Sequence, residues 1–233
     1  MKPAEIKSKY NSTAKAYFSR ERSRYQFANH KRQAEKLLRE EKYDLVLDIA
    51  CGSGAVSAYL AERFPAVEFV GLDFSQELIK IAKRQVLANL RFYNFDLLNL
   101  EDGWVESLRL GEKKVLLLVL GAMEYYDETS QFAKKILCLW QKIKHGALIC
   151  VFLNQELWCR KIYRGQGKKY WRLDQALSFF GPGLELAYKY YSFFIYDPII
   201  TKFSWLDKLF LSCDKKFSNC RELTTSFEIL LRK

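Results

Sequence analysis

The segment VLDIACGSG, Val46 to Gly54, constrains this chain more than any other part of its sequence. An apolar run ends at Asp48, and a loop of small residues then leads into a helical stretch. Ala50, Gly52 and Gly54 leave the backbone bare, so a ligand can approach it closely. The N–H groups at the start of the following helix attract a negative group, and Asp48 adds a negative charge at the strand end. The segment therefore predicts a strand, a loop and a helix that bind a ligand carrying both an amino group and a carboxylate.

Two more acidic residues follow later apolar runs. Asp73 ends the run FVGLD, and Asp96 comes just after the run LRFYNF. A carboxylate at the end of a second strand can accept hydrogen bonds from both hydroxyls of an adenosine ribose. One after a third strand can accept a hydrogen bond from an adenine amino group. The alternative for Asp73 is to cap the helix that begins near Gln76, but Ser75 can take that role and leave Asp73 available.

Short apolar runs alternate with helical stretches from Tyr43 onward, which predicts β-α-β units and a mainly parallel sheet. The predicted strands are Leu45–Ile49, Glu68–Leu72, Leu90–Asn94, Lys114–Leu120, Ala147–Leu153, Leu186–Phe194 and Ser226–Leu231. The predicted helices are 25–41, Ala55–Phe64, Gln76–Leu87, Ser130–Lys144 and Leu173–Phe180. We expect an N-terminal helical leader or cap over residues 1–42 and one domain over 43–233, with insertions at about 155–172 and 195–222.

In this order, the motifs D-I-A-C-G-S-G, G-L-D-F-S and F-D-L resemble those of class I S-adenosylmethionine (SAM) dependent methyltransferases. The resemblance covers roughly residues 43–154, and the terminal SFEILLRK is similar to the antiparallel seventh strand of that family. It implies an α/β, Rossmann-like fold: a seven-stranded, mainly parallel sheet with an antiparallel last strand, helices on both faces, and a cap from the leader and the late insertions. The stretch KYNSTAKAYFSR resembles the leader of a small-molecule subgroup that includes quinone methyltransferases, although Asn11 and Phe18 stand where that leader has Asp.

The resemblance implies SAM as the cofactor and assigns residues to its parts. Small loop residues would pack under the methionine part, with Asp48 near its ammonium group. Asp73 would bind the ribose, and Phe74 and Asp96 would lie beside the adenine. The leader, with Tyr10 and Tyr17, would fold over the cofactor. The full set implied in cofactor binding is Tyr17, Asp48, Ala50, Gly52, Gly54, Asp73, Phe74, Asp96, Leu97 and Leu120.

Methyl transfer from SAM requires alignment of the reacting groups more than acid–base chemistry, so neither a triad nor a metal site is expected. Ligands in open parallel sheets bind at the carboxyl ends of the strands. Glu124, Tyr125 and Tyr126 follow the fourth predicted strand and should face the site. We therefore take Glu124 and Tyr125 as the candidate catalytic residues, with Glu124 as the base.

The substrate class follows less directly from the sequence. A net charge of +11 attracts nucleic acid, anionic lipid or acidic small molecules. Residues 158–172 interleave cations with aromatic rings, and residues 199–217 carry an apolar stripe at helical spacing. We expect a small or lipophilic acceptor. An RNA methyltransferase and a non-catalytic SAM-binding protein are the alternatives.

A nicotinamide oxidoreductase fits less well, because the glycine loop lacks the G-x-G-x-x-G fingerprint of dinucleotide sites. The longest apolar run, Val115 to Met123, is too short to span a bilayer. The six cysteines include no C-x-x-C pair and fit a reducing compartment. We expect a cytoplasmic protein, with peripheral contact at a membrane surface left open.

Overall fold

The structure, a computed structural model, describes residues 3–23, 25–99, 102–126, 129–156, 169–180, 185–193 and 224–233. Its seven strands form one sheet in the order β3-β2-β1-β4-β5-β7-β6. Strand β7 runs antiparallel to both of its neighbours, β5 and β6, whereas the other neighbouring strands pair in parallel. The strands are β1 (Leu45–Ile49), β2 (Glu68–Asp73), β3 (Leu90–Asn94), β4 (Lys114–Val119), β5 (His145–Leu153), β6 (Glu185–Phe193) and β7 (Thr224–Arg232). The predicted α/β class, with a mainly parallel sheet and an antiparallel last strand, is confirmed, whereas the cap expected from the late insertions falls largely on residues outside the described ranges.

Helices cover both faces of this sheet. They are α1 (Pro3–Ser23), α2 (Tyr25–Glu40), α3 (Ala55–Arg63), α4 (Gln76–Ala82), α5 (Asp102–Ser107), α6 (Gln131–Lys142) and α7 (Leu173–Phe180). Serine side chains cap two of them: Ser75 accepts a hydrogen bond from the Leu78 N–H, and Ser130 accepts one from the Ala133 N–H. The cap expected at Ser75 is thus present.

The apolar core lies in two layers, one on each face of the sheet. Alternate residues of β4 belong to opposite layers: Leu117 packs with α6, whereas Leu116 packs with α2 and α3. Both residues are fully buried. A strand buried on both faces cannot alternate apolar with polar residues, which explains the continuous run VLLLV.

The observed helices differ from the predicted ones at three places. Helix α1 lies in the leader that was expected to be helical, although no bounds were predicted for it, and the short α5 was not predicted. Helix α4 ends at Ala82 and not at Leu87, because the next residues form tighter turns and the Gln85 amide donates to the Ser53 carbonyl at 2.9 Å. That bond ties the chain after α4 to the loop after β1.

Two of the sequence predictions fall largely outside the described residues. The expected insertion at 195–222 lies wholly outside them, and only the ends of the one at 155–172 are described. The division into a leader and one domain stays a prediction. In the part of the chain that the structure covers, no helix has the length and apolar character needed to cross a membrane.

Candidate active site

A cavity opens at the carboxyl ends of the central strands, beneath helix α1. It encloses about 690 Å³, a volume that includes the open solvent at its mouth. Its lining includes eight residues singled out from the sequence: Ala50, Gly52, Asp73, Phe74, Asp96, Leu97, Leu120 and Tyr125. The edge of the sheet expected to bind a ligand is therefore the edge that carries the cavity.

The loop after β1 forms the floor of this cavity. Ala50 and Gly52 both have a φ of 58°, in the left-handed region, and both line the cavity. Asp73 fixes the loop, because one of its carboxylate oxygens accepts a hydrogen bond from the Gly52 N–H at 3.0 Å. The other oxygen accepts one from the Ser75 N–H at 2.8 Å. A single carboxylate thus joins the ends of β1 and β2.

The buried acid Asp73 has a shifted pKa. Burial raises its pKa to about 6, against the lowering effect of the hydrogen bonds from Ser75 and Gly52. Each carboxylate oxygen has a second lone pair, so the side chain can still accept hydrogen bonds from a ligand. Asp96, which is half-buried, keeps one oxygen on the Leu98 N–H at 3.0 Å. The cavity therefore presents two carboxylates to a ligand.

Two residues expected at the cofactor lie outside the cavity wall. The buried Asp48 accepts a hydrogen bond from the Ser57 hydroxyl at 2.5 Å, which holds it against α3. A Cβ atom on Gly54 would stand 2.3 Å from the Phe92 ring. The glycine is therefore required where the loop packs on β3. The places that the resemblance implies for these two residues, beside the methionine part of the cofactor, stay predictions.

A pair of tyrosines links α1 to the segment after β4. The Tyr10 and Tyr125 hydroxyls are hydrogen-bonded at 2.8 Å, and both rings line the cavity. Burial, reinforced by the charge of Glu124, raises the pKa of Tyr125 far above its ordinary value, so its phenol stays neutral. The Glu124 side chain hydrogen-bonds to this phenol without lining the cavity. Tyr17 lies on α1 within a stretch whose side chains the structure does not describe.

Helix α1 is docked on α4 by both apolar and polar contacts. Ala14 packs against Leu78 and Ile81, and all three are buried. The Ser75 hydroxyl donates to the Asn11 side-chain oxygen at 2.7 Å. The neutral Asn11 amide thus makes the contact at a position where the resembling leader has a carboxylate, since an amide oxygen also accepts hydrogen bonds.

Comparison with known proteins identifies the domain that carries this site. Residues 46–137, from β1 to α6, match the family model described as a methyltransferase domain. The chain carries a class I SAM-dependent methyltransferase domain. The matched residues include the loop after β1, which predicted a ligand with an amino group and a carboxylate, and Asp73, which predicted a ribose.

Named relatives of this methyltransferase domain act on different molecules. One is the trans-aconitate 2-methyltransferase of Deinococcus radiodurans, 29% identical over 52% of this chain and 42% of its own length. Another is the demethylmenaquinone methyltransferase of Thermus thermophilus, 34% identical over 34% of this chain and 39% of its own length. The matches thus span less than half of the length of these relatives.

Solved structures share the methyltransferase fold over a larger part of the chain. A SAM-dependent methyltransferase from Archaeoglobus fulgidus superposes with a TM-score of 0.60 and covers 89% of this chain and 94% of its own. Its sequence identity is 15%, so this likeness concerns the fold alone.

The groups that line the cavity suit SAM. Its ribose hydroxyls need acceptors, which Asp73 supplies, and its adenine needs flat apolar walls, which Phe74 and Leu97 supply. Its positive sulfonium is attracted to the faces of aromatic rings. The donors and acceptors present therefore fit the cofactor of the family.

Several cavity residues were not singled out from the sequence, namely Ile6, Leu78, Phe95 and Phe132. They are apolar residues on α1, α4, the end of β3 and α6, and only the tertiary fold brings them together. Tyr126 was expected to face the site, and it lines the cavity. The signal for this prediction was that Tyr126 belongs to the segment that follows the buried strand β4.

Proposed function

We propose that this protein transfers the methyl group of SAM to a small or lipophilic acceptor by direct in-line transfer. The observation that carries the proposal is that one cavity is lined both by the ribose-binding candidate Asp73 and by six aromatic rings. Cofactor and acceptor can meet in such a cavity without leaving it. The rings belong to Tyr10, Phe74, Phe95, Tyr125, Tyr126 and Phe132.

The cofactor residues have distinct tasks in this proposal. SAM supplies an electrophilic methyl group carried on a sulfonium. Asp73 accepts hydrogen bonds from the ribose hydroxyls, and the backbone of Ala50 and Gly52 lies against the methionine part of the cofactor. Phe74 and Leu97 enclose the adenine, with Asp96 at its edge. Leu120, which ends the run of β4, lies toward the reacting groups.

Charge and polarity of the wall favour an acceptor that is neutral and apolar. The acidic residues that line the cavity, Asp73 and Asp96, repel an anionic acceptor. The aromatic rings bury apolar surface of a flat molecule. A relative named demethylmenaquinone methyltransferase agrees with this class. A relative named trans-aconitate 2-methyltransferase shows that the matched domain also occurs with acidic acceptors.

The transfer depends on alignment and on the exclusion of water by α1 and its Tyr10 side chain. Tyr125 orients the acceptor by accepting a hydrogen bond from it, because the single proton of its neutral phenol is donated to the Glu124 carboxylate. Where the acceptor loses a proton, Glu124 receives it through the Tyr125 hydroxyl that it contacts. Both residues act beside the end of β4, where the acceptor is expected.

Radiolabelled SAM tests the substrate class. The protein is incubated with two fractions of a cell extract, total RNA and organic-soluble metabolites, with Asp73→Ala as the matched control that binds SAM more weakly. At a SAM concentration near the dissociation constant of the unmodified protein, we expect label in the organic-soluble fraction, and much less of it with Asp73→Ala. Label in RNA alone would support the RNA methyltransferase alternative. SAM binding by calorimetry without label in either fraction would support the non-catalytic one.

A further inference from the structure

The Tyr126 side chain occupies a defined place in the cavity wall. The residue has an extended backbone (φ −131°, ψ 143°), and its ring stacks on Phe132 with 4.2 Å between centroids and 13° between planes. Burial, together with the negative charges of Asp96 and Asp73, raises the pKa of its phenol to about 12. The phenol thus lies within electrostatic reach of the two carboxylates that line the cavity.

The buried Trp171 fixes the backbone of Tyr126. The Trp171 indole N–H donates to the Tyr126 carbonyl at 2.9 Å, and Trp171 is 1% exposed. Its backbone N–H donates to the Leu153 carbonyl at 2.8 Å, and its carbonyl accepts from the Gln155 N–H at 2.9 Å. Trp171 is therefore fixed to the end of β5 by its backbone and to the segment after β4 by its side chain.

We propose that Tyr126, stacked on Phe132, forms a wall of the adenosine part of the cofactor site, and that Trp171 is the positioning residue that holds it there. The inference rests on the proposed cofactor site, because it takes Asp73 as the ribose ligand. A ring fixed on one face by Phe132 and at its backbone by Trp171 offers its remaining surface to the flat adenosine without losing conformational freedom on binding. Trp171 lies in the described C-terminal end of the insertion expected at 155–172.

Calorimetric titration with S-adenosylhomocysteine tests this role without requiring turnover. Trp171→Phe keeps a buried ring and removes the indole donor, and we expect about three- to tenfold weaker binding, the scale of one hydrogen bond. Trp140→Phe is the matched control. Trp140 is also 1% exposed, and its indole N–H makes no hydrogen bond within the described part of the protein. This control should bind like the unmodified protein.

A double-mutant cycle separates positioning from general support of the fold. Tyr126→Ala should weaken binding of S-adenosylhomocysteine about fivefold or more. Adding Trp171→Phe to Tyr126→Ala should weaken binding by less than a further factor of about two, since the effect of Trp171 passes through Tyr126. Additive losses, or a Trp171→Phe affinity equal to that of Trp140→Phe, would overturn the positioning role. If Trp171→Phe does not fold, Tyr126→Ala alone tests whether Tyr126 forms a wall of the adenosine site, and unchanged affinity of this variant would overturn the proposal. Absence of binding to the unmodified protein would instead contradict the proposed function.

Discussion

Asp73 combines two tasks in the proposed site, since it fixes the loop after β1 and faces the cavity. Removing its carboxylate removes charged hydrogen bonds to the ribose. We expect Asp73→Ala to weaken SAM binding by on the order of 1.5–3 kcal/mol, measured by calorimetry. Asp96→Ala is the comparison variant. It should lose less affinity for SAM than Asp73→Ala does, because Asp96 is half-buried and remains better solvated. Unchanged affinity in Asp73→Ala would refute the ribose assignment.

The raised pKa of Asp73 predicts a pH dependence of binding. Its folded-state pKa of about 6 exceeds the ordinary value of 3.8. Between these values the folded, ligand-free protein keeps a proton that the unfolded chain releases, so the contribution of Asp73 to stability falls as the pH rises. Cofactor affinity should instead rise with pH, because the ribose hydroxyls donate hydrogen bonds more strongly to the ionised carboxylate than to the protonated one.

Affinity for S-adenosylhomocysteine should therefore fall about tenfold between about pH 7.5 and pH 5. Asp73→Asn, which cannot titrate, should show a flatter profile over the same interval. A profile shared by the two proteins would show that another group controls binding.

Sequence reasoning at this scale found residues whose chemistry is local. Asp73 and Gly52 could be predicted because a strand end and a small-residue loop determine their places. Tyr10 and Ser75 were also predicted by local motifs. The places of Phe132 and Trp171 depend on how α6 and the chain before α7 pack against the strand ends, which no local pattern encodes.

Helix α1 lies in the leader that was expected to be helical, but its sequence did not predict its bounds. Among the side chains of this helix that the structure describes, the buried Ile6 lines the cavity and the buried Ala14 packs on α4. We predict that Ala14→Glu detaches α1, because it places a charge between Leu78 and Ile81. Affinity for S-adenosylhomocysteine should fall about tenfold or more, on the scale of burying an unpaired charge. Ala4→Glu, at an exposed position of the same helix, is the matched control.

Equal binding by these two variants would show that α1 does not close the site. The leader would then be a structural addition to the domain. Circular dichroism of both variants would confirm that the sheet remains folded during this comparison.

The second residue of strand β5, Gly146, is a glycine that the sheet requires. A Cβ atom on Gly146, whose φ is 148°, would stand 1.9 Å from the Val115 carbonyl oxygen. Gly146→Ala should lower the free energy of unfolding by about 3 kcal/mol or more, measured by urea denaturation. Gly103→Ala in α5 is the control, since nothing lies within 4 Å of its added Cβ, and it should be neutral or stabilising by about 0.5 kcal/mol. Equal stability of the two variants would contradict this packing.

At the scale of the whole molecule, the sheet was the most predictable feature. Buried parallel strands such as β4 are apolar throughout, and the alternation of strands with helices allows few topologies. The ends of elements were less predictable, because tertiary bonds such as that from Gln85 to Ser53 decide where α4 ends. The contacts of Asp48 with α3 and of Gly54 with β3 could not be predicted either, since only the tertiary fold brings these groups together.

The account rests on the claim that the cavity at the strand ends holds the cofactor. A crystal structure with S-adenosylhomocysteine tests it most directly. We predict density for the ligand beneath α1, with the ribose hydroxyls within hydrogen-bonding distance of the Asp73 carboxylate and the adenosine against Tyr126. Ligand density away from this cavity, or a ribose that does not contact Asp73, would contradict the account.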